Sequence, residues 1–296
     1  MHRTIDPKRL AQVMSWSLKH GSHEANQDGN LCAMEAVAFI AGEPWADHPA
    51  CACPVITAFM VHWNDALPTD ADRDRLLKPL IPGLVGTRAD SAIEQRRAFM
   101  SLDWLMRVYV PTFLELDLAY ASYGQALRNL PEMVDLASAF AAEQIVIDAY
   151  NAVEAADEEI ERRGALKDAT TKDAYDGASD AAVFAANAAG WEIAKDIAWH
   201  IKGKAVTYSY GATEHPPTEA PVQAAAVETA WSPIVTAACN AALPSALVAA
   251  KEAAANGATR ADATNAAMVA AETALAPTVE LLRASAMDLV RRMINV

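Results

Sequence analysis

Helix punctuation recurs along this chain, while alternation of apolar and polar residues is scarce. That combination points to helices rather than sheets. Asp6-Pro7 supplies an N-cap with proline at the first helical position and opens a helix to about Leu18. Gly21 to Asn30 reads as a polar loop. Asn30 is placed to cap a second helix, which Gly42 ends. Asp47-His48-Pro49 predicts a short turn or helix, and Pro54 opens the next helix, Val55 to Leu67. Thr69-Asp70-Ala71-Asp72 starts another, with acids at its positive end, and Ile81-Pro82-Gly83 breaks it. Thr87 or Asp90 caps a long segment, Ser91 to Val110, before Pro111 interrupts or kinks the chain. A further helix pair reaches Leu130.

The chemistry changes at Pro131. Glu132 to Arg163 predicts one long helix, and Trp191, Ala194, Ala198 and Ile201 follow a seam spacing close to 3.5. Lys204 to Glu219 holds Tyr-Ser-Tyr-Gly and His-Pro-Pro and reads as a linker. Ala then fills 15 of the 40 positions 221–260. Ala forms helices readily and lets them approach closely. Pro233, Pro244, Gly257 and Pro277 are expected to divide this tract into short helices, one of them capped by Thr259. The expected fold is all-α. A compact N-terminal helical domain, residues 1–131, precedes an acidic, Ala-rich helical bundle, residues 132–296, with a linker at about 205–219.

Charge narrows the partners. The 296 residues carry a net charge of −14. Residues 1–131 hold 12 Lys and Arg against 15 Asp and Glu; residues 132–296 hold 12 against 23. Such a surface repels phosphate backbones and anionic lipid, so sequence-independent nucleic-acid binding is not expected. No run of about 18 uncharged apolar residues is read as a membrane span. The N-terminus has no apolar stretch behind its charges, so no signal peptide is expected. Four cysteines are too few and too clustered for a disulfide framework. A cytoplasmic, reduced protein follows as the expectation.

One acid marks a candidate site. Glu35 is the only charged residue in Leu31 to Ala41, a stretch apolar on every side. A carboxylate inside a core must be paired, protonated or bound to something. His20, His23, Glu24, Asp28, Cys32, His48, Cys51 and Cys53 crowd around it in sequence. His23, Cys32, Glu35, His48 and Cys51 form a candidate metal set, and mixed His, Cys and carboxylate ligands suit zinc best. The standard paired-cysteine spacings are missing. The plainer alternative is a hydrogen-bonded Glu35–His48 pair with the cysteines filling the core as small hydrophobes. A catalytic reading uses Cys32, Glu35 and His48: a thiol just inside a helix start has a lowered pKa, and His23 or His48 would complete a Cys-His couple.

Other motifs say less. Asp70-x-Asp72-x-Asp74 imitates a calcium loop but lacks its glycine and its last glutamate, so it reads as a helix start. Trp45, Trp63 and Trp104 are core anchors or walls of a ligand pocket. The chain shows no phosphate loop, no nucleophile elbow and no His-Glu-x-x-His helix.

Cys32-Ala-Met-Glu-Ala-Val-Ala, followed by Ala41-Gly-Glu-Pro-Trp-Ala-Asp-His-Pro-Ala-Cys51, resembles a group of uncharacterised helical proteins encoded by actinobacteria and their phages. The likeness continues through Trp63-Asn-Asp-Ala-Leu-Pro68, Leu76 to Pro82, Leu84 to Arg88 and Ser101-Leu-Asp-Trp-Leu105, covering about residues 20–131. It implies a phage or mobile-element origin and names no reaction. In that group Cys53 is not a fixed position, which ranks it below Cys51 as a ligand. The leading expectation is an accessory protein that binds a protein or small-molecule ligand through helical surfaces, as a monomer or a homo-oligomer. The alternative is an enzyme or metal-binding protein centred on Glu35. A nucleic-acid-mimicking decoy ranks below both, because the acids are scattered among alanines.

Overall fold

The computed structural model describes residues 5–25, 29–163, 169–191 and 231–296. The expected linker at 205–219 and the seam residues Ala194, Ala198 and Ile201 lie outside them. The fold is all-α. Among the described residues the only β pairing is a single parallel bridge between Leu18 and Leu31.

Helices α1 (Pro7–Ser15), α2 (Ala33–Ile40), α3 (Pro54–Ala66), α4 (Asp70–Leu76), α5 (Ile81–Leu84) and α6 (Ser91–Trp104) build the first half. Their starts follow local chemistry. The Asp6 carboxylate accepts from the Lys8 and Arg9 amides, Thr69 Oγ1 accepts from the Asp72 amide, and Asp90 Oδ1 accepts from the Ile93 amide. Ile81-Pro82-Gly83 was expected to break a helix and instead forms α5, because Pro82 stands in the first turn where no amide donor is needed. Helix α2 packs on α1, α3 and α5, while α3 leans on α6. An aromatic file runs through this core. Phe59 lies 5.9 Å from Trp63 and 5.8 Å from Trp104, and Trp104 lies 5.3 Å from Tyr109. Trp63 and Trp104 are therefore core anchors.

Pro111 does not stop the chain. A π-helical turn, Leu105–Tyr109, takes up the strain just before it, and α7 (Val110–Leu114) carries on. Thr112 Oγ1 donates to the Val108 carbonyl within this segment. Helix α8 (Ala121–Arg128) packs back on α7, where Gly124 sits so close that a Cβ would meet Glu115 Cγ at 2.9 Å.

The second half contains α9 (Leu136–Arg163), α10 (Ala169–Trp191), α11 (Trp231–Ala255) and α12 (Arg260–Ile294). Helices α10, α11 and α12 pack mutually as a three-helix bundle. Their buried faces are lined by alanine: Ala178, Ala182 and Ala186 on α10, Ala238, Ala242, Ala246 and Ala250 on α11, Ala267 and Ala271 on α12. The four-residue spacing makes a shallow ridge, so backbones come close. At Gly177 a Cβ would meet Thr264 Oγ1 at 2.9 Å. Each buried methyl contributes only about 0.8 kcal/mol, so length and helix propensity matter here.

The expected division of this tract by its prolines is corrected. Pro244 and Pro277 lie inside α11 and α12 rather than ending helices, and Pro233 stands in the first turn of α11. An interior proline costs about 3 kcal/mol, and the long packed flanks on both sides outweigh it. Only the Gly257 turn, at φ +80°, separates these two helices, and Thr259 with Asp262 forms a capping box after it. One of these helices also bears on membranes. Trp231–Ala255 is long and apolar enough to cross one by length and composition, with a mean hydropathy of 1.5. Its only charged residues are Lys251 and Glu252, near its end. Here it packs between α10 and α12, with 39% of that stretch buried.

Helix α12 joins the halves. Its last turns pack on α6 and α5, and Ile294 closes over Gly83. Arg97, only 2% exposed, donates from Nε to the Met293 carbonyl (2.8 Å) and from Nη1 to the Thr87 carbonyl. A cation at a helix C-terminus satisfies orphan carbonyls and opposes the dipole's negative end. Trp104 Nε1 donates to Ser285 Oγ at 3.0 Å. Farther up, both Glu280 oxygens accept from Arg75 at 3.0 Å, and Arg283 Nη1 donates to Glu280 at 2.6 Å. Arg97→Met should orphan two buried carbonyls at about 1–3 kcal/mol each. The urea midpoint should fall, and amide exchange should accelerate at the end of α12 before the aromatic core is affected. Unchanged exchange there would refute this coupling.

Candidate functional site

Glu35 is buried, with 1% of its surface exposed, and its compensation is local. It is the third residue of α2, and Cys32 rather than Asn30 is the N-cap. From there the carboxylate reaches back over the helix start. Oε2 accepts from the Cys32 amide at 2.7 Å, and Oε1 accepts from the His23 amide. His23 Nδ1 lies 3.0 Å from Oε2. With Glu35 as carboxylate, that ring nitrogen carries the proton and donates. Three donors and the positive end of α2 thus surround one buried charge. Trp45 Nε1 donates to the His23 carbonyl at 2.9 Å and holds the same loop from outside.

Neighbouring side chains fasten the rest of residues 16–32. Asn64 Oδ1 accepts from the Ala33 amide, and Asn64 Nδ2 donates to the Lys19 carbonyl. Asp65 accepts from the Gly21 amide, and Asp74 accepts from Ser17 Oγ and the Leu18 amide. Lys19 Nζ donates to Asp70. The Asp70, Asp72 and Asp74 series starts α4, as read from sequence, but two of the three also clasp this loop. Nothing in the linear pattern marks Asn64, Asp65 or Asp74 for that task, because their partners lie more than 30 residues away.

The remaining candidates stand apart. His48 is 70% exposed and pairs with Asp47 at 2.7 Å rather than with Glu35. Cys51 and Cys53 are buried in the turn before α3. The Cys51 carbonyl accepts from the Arg88 amide, and the Cys53 amide donates to Thr87 Oγ1. His20 and Glu24 are exposed, and Asp28 lies outside the described residues. Among the described residues no group of three His, Cys, Asp or Glu side chains is placed to hold a metal ion. The expected zinc ligands His23, Cys32, Glu35, His48 and Cys51 are therefore not gathered as a set; only His23, Cys32 and Glu35 come together.

Cys32 does not have the lowered pKa expected of a thiol at a helix start. Burial pushes it up to about 12, and the Glu35 charge adds to the effect. The amides of Glu35 and Met34 favour a thiolate and are outweighed. A thiol so held is a poor nucleophile at neutral pH. Within the Cys32–Cys51 block, the conspicuous residues instead shape the chain. Glu35 caps α2, Gly42 turns out of it at φ +69°, and Glu43 Oε2 accepts from the Ala50 amide across the loop.

Chemically, the arrangement aligns one imidazole: Glu35 holds Nδ1, which leaves His23 Nε2 as the basic nitrogen. Comparison with protein-family models, curated proteins and solved structures gives no match.

Glu35→Gln keeps the shape but turns an amide NH₂ toward N–H donors. Hydrogen bonds to a charged group are worth about 1.5–3 kcal/mol each, and a loss of at least one such bond is expected. Faster exchange at the His23 and Cys32 amides should accompany it. A variant as stable as the parent would mean that the cap carries no load.

Proposed function

We propose that this chain is an accessory binding protein of a phage or mobile element, engaging a protein or small-molecule partner through helical surfaces in the host cytoplasm. One observation carries the reading. A groove of about 630 Å³ opens between α10, α12 and the α3–α4 turn. Phe184 stands on its rim with 67% of its surface exposed, beside Ala188, Leu275 and Val279. A large aromatic left in water beside an apolar cleft is the usual anchor of an interface. Glu272, Glu280 and Arg283 give the groove a polar end. The likeness of residues 20–131 to actinobacterial and phage proteins supports the origin.

The test is affinity capture from host lysate with the parent chain and with Phe184→Asp. The parent should retain a defined partner, and the variant should lose it while keeping its circular dichroism and melting temperature. A parent that stays monomeric and retains nothing would end this proposal.

An enzyme is the second reading, and the Glu35–His23 alignment favours it. A carboxylate that fixes the ring through Nδ1 presents Nε2 as a base. Nitrogen-15 chemical shifts should then report the proton of His23 at Nδ1. A ring protonated at Nε2 would remove this reading.

A further inference from the structure

Arginines in this fold have a common occupation: they satisfy helix-end carbonyls or carboxylates. Arg9 donates to the Phe39 carbonyl near the end of α2, Arg73 to the Asn64 carbonyl in the last turn of α3, and Arg97 to Met293 in α12. Arg75, Arg88, Arg107, Arg128, Arg283 and Arg292 face carboxylates. Among the described arginine side chains, Arg96 and Arg291 alone have no ion pair, hydrogen bond or ring contact. Both line the same cleft, of about 940 Å³, between α6, residues 132–134 and the C-terminal turns of α12.

Helix electrostatics explain part of this. A cation in the last turn of α12 opposes the dipole, which suits Arg291. Arg96 is the sixth residue of α6 and gains nothing from a helix terminus. Two free guanidiniums therefore face one cavity on a molecule of charge −14. Two acids also line it. Asp288 is held by Arg292 at 3.1 Å, and the Glu132 charge acts on Arg107. Gln95 and Asn295 add polar groups, and one stretch of wall is apolar: Phe99, Met100, Met133 and Val134, the last 62% exposed.

We propose that this cleft binds a small organic anion, a carboxylate or phosphate monoester with an apolar body. The oxyanion lies between Arg96 and Arg291, whose planar forks match carboxylate and phosphate oxygens. The apolar body lies against Met100 and Val134. This site is separate from the Phe184 groove and stands whether or not that groove binds a partner.

Calorimetric titration of the full chain with phenyl phosphate, 4-phenylbutyrate and inorganic phosphate tests it. At least one organic probe should saturate at one per chain and bind about tenfold tighter than inorganic phosphate, the gain expected from burying a phenyl ring. Preference for phenyl phosphate assigns a phosphate monoester, preference for phenylbutyrate an organic acid, and equal binding the shared oxyanion chemistry. Arg96→Gln and Arg291→Gln should each weaken binding about tenfold or more. Val134→Ser should weaken the organic probe without changing inorganic phosphate. All three side chains are exposed, so melting temperatures should match the parent. No saturable organic probe, binding that survives the double arginine variant, or inorganic phosphate binding as tightly as both organic probes would each overturn the proposal.

Discussion

A positive charge with almost no access to water sits where the two halves meet. Arg97 holds the end of α12 through the Met293 carbonyl and the loop before α6 through Thr87. Thr87 in turn accepts from the Cys53 amide through Oγ1, and the adjoining Arg88 amide donates to the Cys51 carbonyl. The cysteine turn before α3 is thus connected, bond by bond, to the C-terminal helix. A buried guanidinium persists only when its donors are satisfied, and neutral carbonyls at a helix end do this without the desolvation of a second ion. The three-helix bundle meets the first half at that contact and also where α11 packs on α7.

The Glu35 centre solves the opposite problem by the same means. There a negative charge is buried, and the positive end of α2 with its amides surrounds it. Once three donors converge on one carboxylate, little capacity is left for a metal, and the cysteine beside it is driven toward its neutral form. Clustered His, Cys and Glu residues therefore produce a clamp on the 16–32 loop instead of a ligand set. Much of the polarity that looks catalytic in sequence also holds backbone.

How much of this was legible can be judged residue by residue. Asp6, Thr69, Asp90 and Thr259 cap the helices that their short-range spacing implies, because a cap involves three or four residues. The burial of Glu35 was legible from its apolar flanks. Its partner was not: the sequence pointed to His48, whereas the fold puts His48 in solvent against Asp47 and His23 on Glu35. Pro244 and Pro277 misled for a related reason. Propensity says that proline ends a helix, yet packing on both flanks carried each helix through it.

The amino-acid order by itself determined the all-α class, the acidic balance, most helix starts and the need to neutralise one buried acid. These depend on interactions within a turn or two, or on composition alone. The tertiary structure decided which groups meet across 12 to 205 residues: His23 with Glu35, Asn64 with Ala33, Arg97 with Met293, Arg75 with Glu280. It also decided which charges are left over, since Arg96 and Arg291 differ from their paired neighbours only in what the fold brings near them. Local chemistry is written along the chain, whereas satisfaction of a buried or exposed polar group depends on distances that exist only after packing.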